Sequence, residues 1–576
     1  MQPTRRQQSE LIDLFTGSGG FWGQIKRMPF LRSGAGSIII ASALVTLFSL
    51  FLPLTLMQVY DRVIKFHSLD TLTWLVIGCA SAFVLEASLR FARGWIGSWM
   101  AARFEHALSC SAVKRLLESP LAEIQQEEVG VHLDRLNAVS GLKSYYAGQV
   151  FQMLFDLPFF FLFLVAIAYI GGTLVLYPLG MISIYLLLVG YLRSGLVTSQ
   201  KQQSVQTDRR YNFLIEILGS IGQVKNLTME EQMLRRYERL QAGAAESNMS
   251  VSFWNSSVTN LGFFFSQAIM FGTIGMGSGR VIEGSLTIGG LTACTMIGGR
   301  ALGPVQSAAS FWLRFSEAKL LQEKVRQIAE GVPDVHEDAL PFPSEIEGSV
   351  ETQAISYVSK NTGELIFDQL SLKIKAGEFV GILCSDGVAA TTLLLTLAGV
   401  YRPTSGRVLI DRYDIFQWDR SNLQGRIEYL AKENTLFKGS ILDNITLFDK
   451  TKKESALDSA ALVELDEMVA QLPQGYETIV GGNATNTLPT GMLQRIALAR
   501  SLVVRPRILL VNGLLDHMDQ DTADILRFLL LKLKGNCTLI MVSEQESLLE
   551  KTDSIYVYDH GRFSQKGDER GEAYGT

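Results

Sequence analysis

Charged residues are scarce in this chain, at 19% of 576 residues, while hydrophobic residues make up 47%. Soluble domains carry about 25% charged residues, so this balance argues against an ordinary soluble protein. The five cysteines and six histidines are scattered and show no CxxC or HExxH spacing, which argues against a disulfide framework or a zinc site. There is no basic excess, because the net charge is −5, and a nucleic-acid binder relying on a global basic field is not expected. The N-terminus has no apolar stretch followed by a small-residue cleavage site, as a secretory signal would have.

Long apolar runs lie in the first half of the sequence. A helix needs about 20 apolar residues to cross a bilayer core. Six runs approach this length, and the fifth and sixth carry more polar residues and glycines, so that a buried soluble helix is the alternative for those two. The predicted spans are Ser37–Met57, Leu72–Phe91, Val150–Ile170, Leu174–Leu192, Val258–Met276 and Ile288–Leu313.

Basic residues are concentrated before the first span and in the two long connections, between spans two and three and between spans four and five. The positive-inside rule therefore predicts that both termini are cytoplasmic. Arg300 lies within the sixth predicted span. An arginine at membrane depth normally faces a bundle interior or a wet cavity, so Arg300 is a candidate for the translocation path. The alternative is an arginine that snorkels from near the cytoplasmic end.

The second half changes character after an acidic, proline-containing stretch. Short β-branched runs, such as EFVGIL, RILLVN, TLIMVS and SIYVYD, alternate with helix-like runs. This alternation predicts a mostly parallel α/β sheet covered by helices, a fold class that binds nucleotides at its strand ends. The predicted organisation is an N-terminal cytoplasmic segment (1–36), a six-helix transmembrane domain (37–330), a linker (331–346) and an α/β domain (347–576).

The chain resembles an ABC exporter half-transporter along nearly its whole length. LPLTLMQVYDRVI, DLPFFFLFLVAIAYIGG and TIGGLTACTMIGGRALGPV resemble the permease/ATPases of bacterial type I secretion, especially those that export large adhesins and RTX-type proteins. LPQGYETIVGG, QRIALARSL and DSIYVYDHGRFSQKG are typical of the nucleotide-binding domain. The resemblance implies a P-loop-type ABC nucleotide-binding domain behind the transmembrane domain. Only residues 1–36 precede the first span, so the cysteine-peptidase-like domain of many type I exporters is not expected.

The P-loop of this resemblance is degenerate. An ATP-cleaving loop reads GxxxxGK[ST], whose glycines wrap the phosphates, whose lysine neutralises charge and whose hydroxyl holds Mg²⁺. This chain reads CSDGVAAT at the corresponding position. The aspartate adds a carboxylate where phosphates bind, and an alanine replaces the lysine. Both differences predict a large loss of nucleotide affinity. The P-loop positions concerned are Cys384, Asp386, Gly387, Ala389, Ala390, Thr391 and Thr392, of which Gly387 and Thr391 match the family pattern.

The other nucleotide-contacting positions of the resemblance also differ. Asn512-Gly513 stands where the family has the Asp-Glu pair that positions Mg²⁺ and polarises water, and glycine cannot act as a base. Glu544 replaces the histidine, Lys432 the glutamine, and Ser359 the adenine-stacking aromatic, for which Tyr357 is a partial substitute. The signature loop LSGGQ reads Leu488, Pro489, Thr490, Gly491 and Met492, and its proline removes both a hydroxyl and an N–H.

These differences together predict a non-hydrolysing subunit of a bacterial inner-membrane exporter. The resemblance implies a heterodimer with an active half-transporter that holds ATP and Mg²⁺, with weak or no nucleotide binding by this chain. It further implies a periplasmic adaptor, an outer-membrane channel and a secreted polypeptide cargo. Two alternatives remain open: a weak ATPase that uses Lys432 or Glu544, and a regulatory pseudo-transporter that lines no channel.

Overall fold

The computed structural model describes eleven segments of the chain, which exclude most of the predicted N-terminal segment (1–36) and of the predicted linker (331–346). The described segments are residues 29–127, 129–146, 156–330, 346–359, 362–418, 423, 425–432, 434–481, 488–516, 520–559 and 561–566. The chain divides into two compact units. The first comprises Met1–Leu117 and Glu127–Gly331, and the second comprises Glu118–Gln126 and Val332–Thr576. A short segment of the first long loop therefore groups with the second unit.

The first unit is built of long helices. Several run far beyond the predicted spans, because an α-helix can continue past an apolar run into polar turns. The helices up to the second long loop are α1 (Pro29–Ser49), α2 (Phe51–Gln58), α3 (Ile64–Phe66), α4 (Leu69–Glu118), α5 (Leu121–Ile124), α6 (Val129–Tyr146), α7 (Phe160–Gly171) and α8 (Leu176–Gly219). The remaining helices are α9 (Ile221–Asn226), α10 (Glu230–Ile282) and α11 (Ile288–Glu330). A π-helical segment, Val59–Val63, joins α2 to α3.

Four described helical stretches are long and apolar enough to cross a membrane: Gly36–Phe66, Leu69–Glu118, Leu157–Gly219 and Glu230–Ile282. The third stretch contains the fourth predicted span and the described part of the third, which are separated by the 3₁₀ turn Gly172–Val175. The helix α11, which holds the predicted sixth span, does not belong to this group. Its many small and polar residues lower its hydropathy, as the sequence showed, and the sixth span stays a prediction.

Side chains tie the turns at one end of this bundle together. The Arg280 guanidinium donates to the Gly171 carbonyl at 2.6 Å. The Asp61 carboxylate accepts from the Thr287 hydroxyl at 2.7 Å and from the Gly289 N–H at 3.0 Å, which satisfies amides at the start of α11. The α7–α8 turn, the α10–α11 turn and the π-helical segment therefore share one end.

The second unit is an α/β domain with two main sheets. Its strands are β1 (Val350–Val358), β2 (Leu365–Leu370), β3 (Lys373–Ile374), β4 (Phe379–Leu383), β5 (Ser405–Ile410), β6 (Tyr413–Asp414), β7 (Ile427–Leu430), β8 (Gly439–Ser440), β9 (Ile479–Val480), β10 (Ile508–Asn512), β11 (Thr538–Ser543), β12 (Ser554–Asp559) and β13 (Arg562–Gln565). Its helices are α12 (Gly387–Leu397), α13 (Ile441–Thr446), α14 (Lys453–Leu462), α15 (Asp466–Ala470), α16 (Thr490–Leu502), α17 (Gln520–Leu533) and α18 (Glu546–Leu549).

The central sheet has the order β13-β12-β4-β11-β10-β7, and all its pairs are parallel except β12 with β13. The strands β10 and β11 are buried along their whole length, as expected for parallel strands with helices on both faces. The smaller, antiparallel sheet has the order β2-β1-β5-β6, with β3 also paired to β1. The predicted α/β fold is confirmed, and the carboxyl ends of β4, β10 and β11 meet at one sheet edge.

Candidate functional site

The helix α12 follows the buried strand β4 after the three residues 384–386. The Asp386 side chain caps this helix: one carboxylate oxygen accepts from the Val388 N–H at 2.8 Å and from the Ala389 N–H at 3.2 Å. Free N–H groups at a helix N-terminus are the groups that bind an anionic phosphate in a P-loop. Here a carboxylate of the chain itself already accepts two of them.

The Asn512 side chain lies at the end of β10, beside α12. Its amide nitrogen donates to the Thr391 hydroxyl at 3.0 Å and to the Tyr429 hydroxyl at 3.0 Å. Thr391 is the hydroxyl that the resemblance assigns to Mg²⁺. The neutral amide of Asn512 stands where the family pattern has a carboxylate, so this position supplies no anionic oxygen ligand of the kind that Mg²⁺ prefers.

A third contact joins the loop after β7 to the loop after β11. The Lys432 ammonium and the Glu544 carboxylate form an ion pair at 3.0 Å, with both side chains more than a third exposed. The loop after β11 is also held by Asp516, whose carboxylate accepts from the Ser543 hydroxyl at 2.5 Å. Lys432 and Glu544, the two residues proposed for an unorthodox weak ATPase, are therefore paired with each other.

The backbone at Gly513 has a left-handed conformation, with a φ of 54°. A side chain at this φ costs roughly 1–2 kcal/mol. A Cβ added here would also lie 3.0 Å from an Asp516 carboxylate oxygen. The position that carries a catalytic carboxylate in the family is thus built for glycine in this chain.

The remaining P-loop side chains belong to the core or to solvent. Ala389 and Ala390 are buried in the hydrophobic cluster between the two sheets, and Thr392 is buried beside them. Cys384 is also buried, and burial raises the pKa of its thiol to about 11. Gly387 is exposed and has open space around its Cα.

The predicted adenine-contacting region is occupied by an aromatic pair. Ser359 forms a turn, in which its hydroxyl accepts from the Thr362 N–H at 3.3 Å. The Tyr357 ring stacks on Tyr401 with ring centroids 5.8 Å apart and also contacts Phe367. Tyr357, the partial substitute predicted from the sequence, therefore already has a stacking partner within the chain.

The predicted signature loop, Leu488 to Met492, leads into α16. Pro489 precedes the helix and supplies no side-chain cap. Thr490 is exposed, whereas Met492 is 2% exposed and packs in the core under the central sheet. Leu488 and Gly491 are half-buried. Thr490, Gly491 and Met492 form the first turn of α16, and Met492 is part of the core.

Glu428, on β7 beside Tyr429, gives a pH-dependent prediction. Burial raises the pKa of its carboxyl to about 6 from an ordinary 4.5, against the opposing influence of a backbone hydrogen bond from Gly425 and of Lys452 and Arg500. Because the folded state holds this proton more tightly, the free energy of unfolding falls as the pH rises from 4.5 through 6, by roughly 1–2 kcal/mol. Glu428→Gln, which stays neutral, should remove this decrease. Thermal unfolding of the purified chain across this pH range measures it, and an unchanged slope in the variant would contradict the prediction.

Arg300, the predicted path residue, lines a cavity of about 900 Å³ within the first unit. Its guanidinium donates to the Ser49 carbonyl oxygen on α1. The Arg300 side chain therefore lies in a space between helices and does not extend along α11 towards the end of the helix.

Sequence reasoning missed Tyr429 and Asp516, which hold Asn512 and the loop after β11 in place. A signal for Asp516 was present, because it lies four residues beyond Asn512 at the same sheet edge. Tyr429 gave no signal, because a tyrosine in a short strand is ordinary.

Comparison with known families agrees with this architecture. Residues 36–302 match the ABC transporter transmembrane region family, and residues 367–512 match the ABC transporter family. The two matches together give a helical membrane domain followed by an ABC nucleotide-binding domain, which is the architecture of an ABC exporter and of a multi-pass membrane protein.

Within that class the chain is homologous to type I secretion proteins. It is 26% identical over 531 residues to the alpha-hemolysin translocation ATP-binding protein HlyB of Escherichia coli O157:H7, covering 92% of this chain and 75% of the relative. It is 27% identical over 540 residues to the cyclolysin secretion/processing ATP-binding protein CyaB of Bordetella pertussis, with the same coverage. A solved bacterial Atm1-family ABC exporter with ATP bound shares the fold, with a TM-score of 0.79 at 19% identity over 93% of this chain and 94% of that one.

Proposed function

We propose that this chain is a non-hydrolysing subunit of an inner-membrane exporter of the type I protein secretion kind. It forms half of a translocation path and pairs with an active half-transporter that binds ATP and Mg²⁺ and does the chemistry. By family resemblance, the assembly includes a periplasmic adaptor and an outer-membrane channel, and its cargo is a secreted polypeptide.

The observation that carries this proposal is the set of internal contacts at the nucleotide edge. The Asp386 carboxylate takes two amides that a phosphate needs, and Asn512 donates to the hydroxyl that would hold the metal. A second anion at Asp386 would meet like charge and lose the amide donors at the same time. We therefore infer that this chain binds Mg·ATP weakly or not at all.

Coupling to the membrane helices is retained in this proposal. The second unit includes the short helix α5, which resembles the intracellular-loop helices that dock on nucleotide-binding domains. Within that unit, the Tyr401 hydroxyl donates to the Gln125 side-chain oxygen at 2.5 Å. This hydrogen bond to the loop segment supports the proposal that the nucleotide-binding domain still transmits movement to the membrane helices, or resists it. It can do so even though it does not hydrolyse ATP itself.

ATP turnover by the purified full-length chain tests the proposal. Alone, with saturating Mg·ATP, it should show no turnover above that of heat-inactivated protein, because the described site lacks a lysine at Ala390 and a base at Gly513. Vanadate-sensitive, Mg²⁺-dependent turnover by this chain alone would overturn it. Co-purification with an active half-transporter should give turnover that is lost when the partner's catalytic carboxylate is replaced.

A further inference from the structure

The cavity around Arg300 contains an unusual set of charges for the interior of a membrane domain. Arg300 lies twelve residues into α11, about 18 Å along the helix from the bundle end described above. A hydrocarbon core is about 30 Å thick, so the predicted sixth span would hold the guanidinium at membrane depth. Five charged side chains line the cavity: Glu86, Arg90, Arg93, Asp156 and Arg300.

Four of these five charges form pairs. Arg93 contacts Asp156 at 2.6 Å and also donates to the Ser42 hydroxyl at 2.9 Å. Arg90 contacts Glu86 at 2.6 Å on the same helix. These two ion pairs neutralise both carboxylates of the cavity, so the three arginines leave one positive charge over.

That remaining charge is Arg300. Within the described part of the chain, its guanidinium contacts the Ser49 carbonyl, and no carboxylate forms an ion pair with it. Pro304, which also lines the cavity, has no N–H to donate to the Arg300 carbonyl four residues earlier. An arginine with unused donors in a low-dielectric cavity attracts an anion strongly, and its planar fork matches a carboxylate.

The cavity wall indicates what carries this anion. Hydroxyl and amide side chains line part of the cavity and are suited to the N–H and C=O groups of an extended peptide; they are Thr46, Ser49, Thr259, Gln306, Ser307 and Ser310. Apolar side chains, among them Phe83, Phe163 and Val258, line the rest of the wall and are suited to the apolar side chains of the same peptide. The volume of about 900 Å³ accommodates a short stretch of polypeptide.

We propose that Arg300 forms a binding site for a carboxylate carried on a polypeptide, so that this subunit selects acidic segments of the exported chain. The inference rests on the proposed export function, since the ligand is a segment of the cargo. It does not depend on whether this chain hydrolyses ATP.

Two labelled peptides test the site, one of alternating serine and aspartate and one of alternating serine and asparagine. Fluorescence anisotropy with the full-length protein in nanodiscs of neutral lipid should show the aspartate peptide binding about tenfold more tightly. Arg300→Gln should abolish this preference and Arg300→Lys should retain most of it. Arg239→Gln, which removes an exposed arginine of α10 that does not line the cavity, is the matched control and should leave the preference intact.

High salt gives a test that needs no variant, because raised ionic strength should remove the preference in the native protein. A preference that survives in Arg300→Gln, or equal binding of both peptides to the native protein, would overturn the proposal. Retention of phosphatidylglycerol in native mass spectrometry that is lost in Arg300→Gln, without any peptide preference, would assign the site to a lipid headgroup instead and would also overturn it. Neither result bears on ATP turnover, so the two proposals fail separately.

Discussion

Replacing Asp386 with glycine should convert a domain that holds ATP poorly into one that binds it at least about a hundredfold more tightly. The substitution removes a negative charge and frees the Val388 and Ala389 amides. Hydrogen bonds to charged groups contribute about 1.5–3 kcal/mol each, so two freed donors account for a gain of this size. Equilibrium titration of the full-length chain with a fluorescent ATP analogue, with and without Mg²⁺, measures the change.

Asp386→Asn separates the two causes. Asparagine keeps an oxygen that caps α12 but carries no charge, so its gain in affinity should lie between those of the native protein and Asp386→Gly. The glycine variant should lose only about 0.3 kcal/mol of stability with the cap, because glycine is itself well tolerated at a helix N-cap. Native protein that binds ATP as tightly as Asp386→Gly would show that the carboxylate does not block the site.

Asp156→Asn should lower the free energy of unfolding by about 3 kcal/mol, the second large effect that we expect. The Arg93–Asp156 pair is mostly buried, with side-chain exposures of 16% and 25%. Removing the Asp156 charge breaks a mostly buried ion pair of Arg93 within the first unit, which is far more costly than breaking an exposed pair. Thermal unfolding of the purified chain in detergent measures the loss.

The pair Arg90–Glu86 is the matched control, because it lines the same cavity while its arginine is 55% exposed. Glu86→Gln should therefore cost less than about 1 kcal/mol. Replacing Arg93 and Asp156 together by apolar residues should recover most of the stability, because no buried charge is left over. Equal losses in Asp156→Asn and Glu86→Gln would contradict the distinction between the two pairs.

The two large effects concern different kinds of internal compensation. At Asp386 a side chain accepts from the N–H groups that an external ligand would use, and at Asp156 a side chain neutralises a mostly buried arginine. Both follow from the high cost of leaving polar or charged groups unpaired away from water. Arg300 is the exception within the cavity, and that exception is what the peptide experiment examines.

Several features could be predicted from the sequence because they follow from local patterns. The strands β4, β10 and β11 lie where short β-branched runs were read, since burial on both faces requires continuous apolar residues. Four described helical stretches of the first unit likewise contain predicted spans, since long apolar runs favour helices. The substitutions at Ala390 and Asn512 were visible because each motif lies at a fixed spacing from its strand.

Only the tertiary structure decided what those substituted residues do. Nothing local indicates that Asn512 would reach both Thr391 and Tyr429, or that Lys432 would pair with Glu544 more than a hundred residues away. The excess positive charge at Arg300 likewise depends on the pairs Arg93–Asp156 and Arg90–Glu86, because these pairs take up both carboxylates that line the cavity. Composition and periodicity determine which residues are buried and in which elements, because they act over a few turns. Which donor meets which acceptor depends on packing between distant segments, and that was settled by the fold.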